Sequence, residues 1–393
     1  MADRANEREQ RVTPLELFFD LVVVFAITQV TELMSSDLTW RGLGRGLLVF
    51  AAIWWSWTGY AWLTNALEPE EGLVRAGMFA AMAAMFVVAL AVPRVFGPEG
   101  VLFGVAYLLV RLINIGLFAV ARKSRRTEVR PALGRLVPST IVGPSLILLA
   151  GFLDGGSRAA LWILALLVMY GGGLIGVGPG WRVSPAHFAE RYGLIVIVAL
   201  GESVISLGVG VAHVPHTRGS ITAAILGILV IAALWWTYFD VIAVLARREI
   251  EGATGDVQAW LARDLYTYLH MPMIAGVVLF ALGLKATIEH LDEPLTAVTA
   301  VALVGGLSLH YLAHVAQRIR LVAFIRHTRD EAPGWIGPGR LAASVAMLVL
   351  IPAALEIPAL ASLALALAVC GALIAWDLIH YREDRVRIRR DRP

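Results

Sequence analysis

The sequence predicts an all-α protein: a polytopic transmembrane bundle of about 12 spans, built as two parallel six-helix repeats. Three observations predict it: an excess of apolar residues, their division into windows of bilayer length, and patterns that return in the same order. Of 393 residues, 58% are hydrophobic and only 16% charged, and the mean hydropathy is +0.73. Soluble globular chains sit at roughly 45–50% apolar and about 25% charged. A soluble fold could not hide this much apolar surface.

A bilayer-spanning helix needs about 20 largely apolar residues. Twelve windows qualify: 15–34, 43–64, 73–93, 100–121, 134–153, 158–178, 189–212, 219–246, 266–288, 295–318, 340–357 and 360–380. Prolines such as Pro69, Pro98, Pro131, Pro179, Pro185, Pro215, Pro294, Pro333 and Pro358 lie in or beside the intervening loops, where helices end. The weakest boundary is the last, where Glu356-Ile357-Pro358 is the only break; eleven spans is the alternative count. The polar segment Met1–Arg11 runs into the first span with no small-residue cleavage site, so that span reads as a retained signal anchor. The single cysteine, Cys370, lies in an apolar run, which rules out a disulfide within the chain and suggests no thiol site.

Of the 33 lysines and arginines, 26 fall at one set of ends, 6 at the other, and Arg111 lies within a span. Positive residues favour the cytoplasm, which predicts a bacterial inner-membrane protein with both termini cytoplasmic. The basic tail Arg385-Val386-Arg387-Ile388-Arg389-Arg390 then reads as a topology signal or lipid-headgroup contact, with no nucleic-acid partner.

Duplication rests on three ordered anchors. Glu16-x-Phe18 matches Glu190-x-Tyr192; Trp54-Trp55-Ser56-Trp57 matches Trp235-Trp236-Thr237-Tyr238; Gly134-Arg135-Leu136 matches Gly339-Arg340-Leu341. Six spans per repeat is an even number, so the halves share one orientation. Residues 1–180 form the first repeat and 181–393 the second, which carries the basic tail; the boundary lies in Gly178–Pro185.

On a wheel of about 100° per residue, Glu16, Asp20, Val24, Ile27 and Thr31 share one face, which lipid would penalise. Glu16 and Asp20 read as cation- or proton-binding groups. Glu16 also reads as cap chemistry, because Thr13, Pro14 and Glu16 complete a capping-box pattern. Asp20 lies one turn deeper, beyond the cap. In span 7, Arg191 and Glu202 are about 16 Å apart along the axis, so each needs a partner on another helix. Gly201 predicts a close backbone neighbour beside Glu202; an ion pair of Glu202 with Arg111 or Arg263 is the competing reading.

His270 can relay protons or act as a core histidine, and Pro272 frees a carbonyl near Tyr268. His310 and His314 lie four apart on one face, with Gln317 a turn further. Two ligands are too few for a metal unless His270 or Glu202 joins, and the zinc-protease pattern is absent. Arg111 and Asn114 read as buried counter-charges. The aromatics from Trp235 to Phe239 read as interfacial belt or packing. The glycine run from Gly171 to Gly180 lacks the phosphate-loop lysine and reads as a loosened helix end or hinge. Asp377, near the end of the last span, reads as a headgroup-level acid with no functional role.

Thr13-Pro14-Leu15-Glu16-Leu17-Phe18-Phe19-Asp20, the segment from Glu190-Arg191 to Leu200-Gly201-Glu202-Ser203, and Tyr268-Leu269-His270-Met271-Pro272 resemble the bacterial low temperature requirement A family. That resemblance spans essentially the whole chain and implies a multi-pass membrane protein. A weaker likeness connects Phe19-Asp20 and Phe25-Ala26-Ile27-Thr28 with the Phe-Ser-Asp first helix of lysosomal potassium channels and their bacterial relatives, which also come as six-helix units. Phe19 stands where those channels have Ser, and the motif's upstream Arg is absent.

These readings favour a transporter or channel for a small ion or solute. Asp20, Glu202 and His270 would form a polar path between the halves, with Arg191, Glu16, Arg111, Asn114 and His310 beside it. The alternative is an intramembrane enzyme acting on a lipid or lipid-linked substrate through His270, His310, His314 and Glu202. A non-catalytic membrane scaffold is a third class. No cofactor, catalytic residue or metal site is expected; the partners are the bilayer, the small ion or solute, and a homo-oligomer is compatible with the pattern.

Overall fold

The computed structural model describes residues 11–67, 69–70, 72–121, 130–177, 181, 183–328 and 338–381. The basic tail, the cationic segment around Arg122–Arg126 and residues 178–180 and 182 of the expected repeat boundary lie outside the described residues. Among those described, the only pairing of extended backbone is an isolated bridge between Pro294 and Pro358.

The helical segments are α1 (Pro14–Ser35), α2 (Trp40–Ala66), α3 (Gly72–Ala91), α4 (Gly100–Ala121), α5 (Arg130–Ala150) and α6 (Gly155–Gly176). They continue as α7 (Pro185–Ala212), α8 (Arg218–Gly252), α9 (Gly255–Glu289), α10 (Ala297–Arg326), α11 (Gly339–Ala354) and α12 (Ala359–His380). Among the described residues, nine are long and apolar enough to cross a membrane by length and composition. Gly134–Ala150 within α5, and α11, are shorter apolar helices. The last two windows are separate helices: α11 stops at Ala354 and α12 begins after Pro358, whose fixed φ closes the turn.

Local chemistry accounts for the helix starts. The Thr13 side chain accepts from the Glu16 N–H at 3.4 Å, and Glu16 Oε2 accepts the Thr13 N–H at 2.9 Å, a complete capping box with Pro14 behind it. Thr217 and Ser220 make the same reciprocal pair at the start of α8. Once begun, α1 keeps its polar face inside: Glu16, Asp20, Ile27 and Thr31 are buried, whereas Leu17, Phe18 and Leu21 point outward. Outward leucines carry little penalty in lipid, which is as apolar as they are.

Three helices widen into π turns: Tyr238–Ile242 in α8, Arg263–Tyr268 in α9 and Val301–Gly305 in α10. Such turns release carbonyls from the α-helical ladder and recur at functional sites.

The chain divides into two compact units. The first comprises Met1–Asp37, Arg41–Ile195 and Ile250–Arg263; the second comprises Leu38–Trp40, Val196–Glu249 and Asp264–Pro393. In the first unit α3 packs on α1 and α4, α4 on α5, and α5 on α6. The glycine run is helical through Gly176, and two of its glycines pack closely: side chains added at Gly172 and Gly176 would strike Ser139 and Leu136 of α5; its last residues, 178–180, lie outside the described residues. In the second unit α9 packs on α10, α10 on α11, and α12 on α8 and α11. Backbones of α9 and α10 meet at Gly276 and Gly306, where an added Cβ would lie 2.5 Å and 2.7 Å from the opposite glycine's carbonyl oxygen. Only glycine permits that approach.

Candidate functional site

The first unit holds a buried charge cluster on α1, α2 and α7. Arg191 bonds Glu16 Oε1 and Thr64 Oγ1 through Nη1, and its Nη2 lies 3.2 Å from Asp20 Oδ1. Trp57 Nε1 donates to the same Asp20 oxygen at 2.7 Å. Arg191 is the partner on another helix that both acids of α1 need. Glu16 thus serves twice, as helix cap and as half of a buried ion pair. Asp20, Glu16 and Arg191 are 0–1% exposed. Phe19, Tyr60, Trp54, Trp57 and Tyr192 pack together around them, with the Arg191 guanidinium 5.9 Å from the Trp57 ring centre. Such apolar walls strengthen each Coulomb contact and make any missing one costly.

His187 joins the cluster with its Nε2 3.2 Å from Glu16 Oε2. Its tautomer follows from Asn65. The Asn65 Oδ1 accepts the Ser184 N–H at 3.1 Å, which orients the amide so that Nδ2 donates to the Ser184 carbonyl and to His187 Nδ1 at 3.4 Å. Nδ1 is therefore an acceptor and Nε2 carries the proton that Glu16 receives. A neutral His187 leaves two carboxylates facing one guanidinium. Asp20 Oδ2 is buried with no hydrogen-bond partner among the described residues.

Arg111 and Asn114 of α4 are also in this unit, both buried. They face α2: Arg111 Nη1 donates to the Trp55 carbonyl at 3.3 Å and Asn114 Nδ2 to the Gly59 carbonyl at 3.1 Å. Arg263 donates to the Leu174 and Val177 carbonyls, at 2.9 Å and 3.3 Å.

The second unit gathers His270, His310, His314 and Gln317. The π turn in α9 diverts the Leu269 N–H to Asp264, leaving the Leu265 carbonyl to bond His270 Nδ1 at 2.8 Å. Gln317 Nε2 lies 3.0 Å from that same nitrogen, and Tyr238 Oη lies 2.9 Å from His270 Nε2. The carbonyl requires a proton on Nδ1, whereas the amide N–H requires a lone pair there. Each neutral tautomer satisfies one of the two, and the Tyr238 hydroxyl can donate or accept to match. Either neutral tautomer of His270 thus keeps a bonded partner at both ring nitrogens.

His310 Nδ1 lies 3.3 Å from the Met273 carbonyl and His314 Nε2 lies 3.2 Å from Met273 Sδ. Among the described residues no three His, Cys, Asp or Glu groups are arranged to hold a metal. Glu202, also in this unit, is buried and accepts from Ser206 at 2.8 Å. A side chain at Gly201 would meet nothing within 4 Å, so the close backbone neighbour expected there is absent among the described residues. Asp377 is buried against Arg340 at 3.0 Å. Trp235 and Trp236 face outward, as belt residues do, whereas Trp54 and Trp57 are core.

Sequence reasoning passed over His187, Thr64, Asn65 and Trp57 as members of the first cluster. The available signal was the spare acceptor capacity of two acids beside one arginine.

The fold and its buried charges define a multi-pass membrane protein with ionisable groups held inside its helical packing. The chain belongs to the bacterial low temperature requirement A (LtrA) family, whose model matches residues 11–375. It is also 30% identical over 313 residues to an uncharacterized protein, RA0937, of Rhizobium meliloti (strain 1021), an alignment covering 77% of this chain and 76% of that one.

Proposed function

We propose that this protein is a transporter or channel for a small ion or solute in the bacterial plasma membrane, with both termini cytoplasmic. The cluster around Asp20 is where it takes up a proton or a monovalent cation. The observation that supports this is Asp20 Oδ2, buried and without a partner in a cluster holding one more carboxylate than fixed cation. Buried charge in a membrane is retained where it serves ion or proton movement. One added positive charge on Oδ2 neutralises the cluster. The Tyr238–His270–Gln317 arrangement is a second set of buried polar groups within the helices. The arginine asymmetry of the sequence supports the orientation.

Liposomes loaded with a pH-sensitive dye, under separate proton, sodium and potassium gradients, test the proposal. Wild type should dissipate one gradient, and Asp20→Asn should lower that rate by about tenfold or more. Equal rates in the two, with matched folding by circular dichroism and gel filtration, would overturn the assignment of Asp20.

A further inference from the structure

Arg111 is a further buried cation of the first unit, and its surroundings differ from those of the other buried arginines. Arg158, Arg191 and Arg340 each hold a carboxylate, and Arg318 feels the charge of Asp377. Among the described residues none pairs with Arg111. Its Nη1 bonds one backbone carbonyl, that of Trp55, and its Nε has no partner. The titratable groups acting on it are Tyr107 and Tyr60, whose hydroxyl protons are already donated to the Ala52 and Val110 carbonyls at 2.8 Å and 2.7 Å. A guanidinium enclosed this way carries a positive charge with no carboxylate beside it among the described residues, which burial makes costly.

The fold nevertheless makes room for it. A Cβ on Gly59 of α2 would run into Nη1, and Asn114 one turn along α4 is anchored to the Gly59 carbonyl at 3.1 Å. Arg111 stands about 16 Å from the start of α4 and about 15 Å from its end, near mid-bilayer. A lipid phosphate at headgroup depth is beyond the reach of its side chain. Trp55, Tyr60 and Tyr107, the residues that bond Arg111 or act on its charge, are themselves buried.

We infer that Arg111, with Asn114 beside it, forms an internal site for a small inorganic anion of halide size. The anion supplies the missing counter-charge. This inference does not depend on the transport reading, and its test measures binding, not flux.

Purified protein in detergent is titrated with sodium bromide against sodium gluconate at constant ionic strength and pH. Bromide should raise the unfolding midpoint by about 2 °C or more, saturably, and Arg111→Gln should abolish the rise. No bromide-specific rise in wild type, or an undiminished rise in Arg111→Gln, overturns the site. Should that variant fail to fold, anomalous scattering from bromide in wild-type crystals decides. A peak beside Arg111 supports the site, and no peak there refutes it.

Discussion

Arg191 and Asp20 lie 171 positions apart in the sequence yet meet inside the first unit, Nη2 to Oδ1, at 3.2 Å. With Glu16 on the same guanidinium, one arginine answers two acids of α1. Removing either side of such a buried pairing exposes the other to the full cost of burial.

Arg191→Gln should therefore be among the most destabilising single changes, by about 3–5 kcal/mol, since it strands two carboxylates. Adding Glu16→Gln and Asp20→Asn should recover a large part of the loss. Thermal unfolding in detergent for the single and triple variants checks this; equal midpoints for the two would count against it.

Asn65 sets the proton position on His187. Asn65→Asp replaces the donating amide with an acceptor facing Nδ1, while Nε2 keeps Glu16. The expected outcome is a move of the Nδ1 nitrogen-15 shift of labelled histidine from the unprotonated position towards the protonated one. An unchanged Nδ1 shift would refute the tautomer assignment.

Gly276→Val should cost about 1–3 kcal/mol or more, because its Cβ would meet the Gly306 carbonyl and the His310 N–H at 2.5 Å and 2.7 Å. Gly201→Ala, with open space around it, should be neutral or raise stability by up to about 1 kcal/mol through helix propensity. Melting curves of the pair check the contrast.

The anchors Arg135 and Arg340 occupy matching sequence positions but unlike settings: Arg135 is exposed, while Arg340 is buried against Asp377. Arg340→Ala should cost about 3 kcal/mol or more, and Arg135→Ala about 0.5 kcal/mol or less. Retained activity and stability in Arg340→Ala would show the ion pair to be dispensable.

The helical class and the inward face of α1 were legible because hydropathy and a 3.6-residue period are local properties. The cap at Thr13 was legible for the same reason. That Arg191 required a partner was readable from its depth. Which residues answered it was not, since Thr64, Trp57 and Glu16 reach it only through the packing of helices far apart in sequence. Glu190 and Arg191 follow His187 by one turn, but its role rests on an amide orientation that Ser184 dictates, which local sequence does not show. The expectation at Gly201 failed because a glycine permits close approach without requiring it. The π turns left no mark either: Tyr238–Ile242 contains neither glycine nor proline.

Those wide turns carry a consequence for comparing relatives. A π turn accommodates one surplus residue while the helix on either side keeps its facing, so it is a place where a single-residue insertion has been absorbed. Members of the family that differ in length within α8, α9 or α10 should show their one-residue gaps inside Tyr238–Ile242, Arg263–Tyr268 or Val301–Gly305. A relative with such a gap ahead of its counterpart of His270 would return the Leu265-equivalent carbonyl to the helical ladder. Its histidine would then lose the acceptor that holds one of the two tautomers, and the other tautomer would prevail in that lineage.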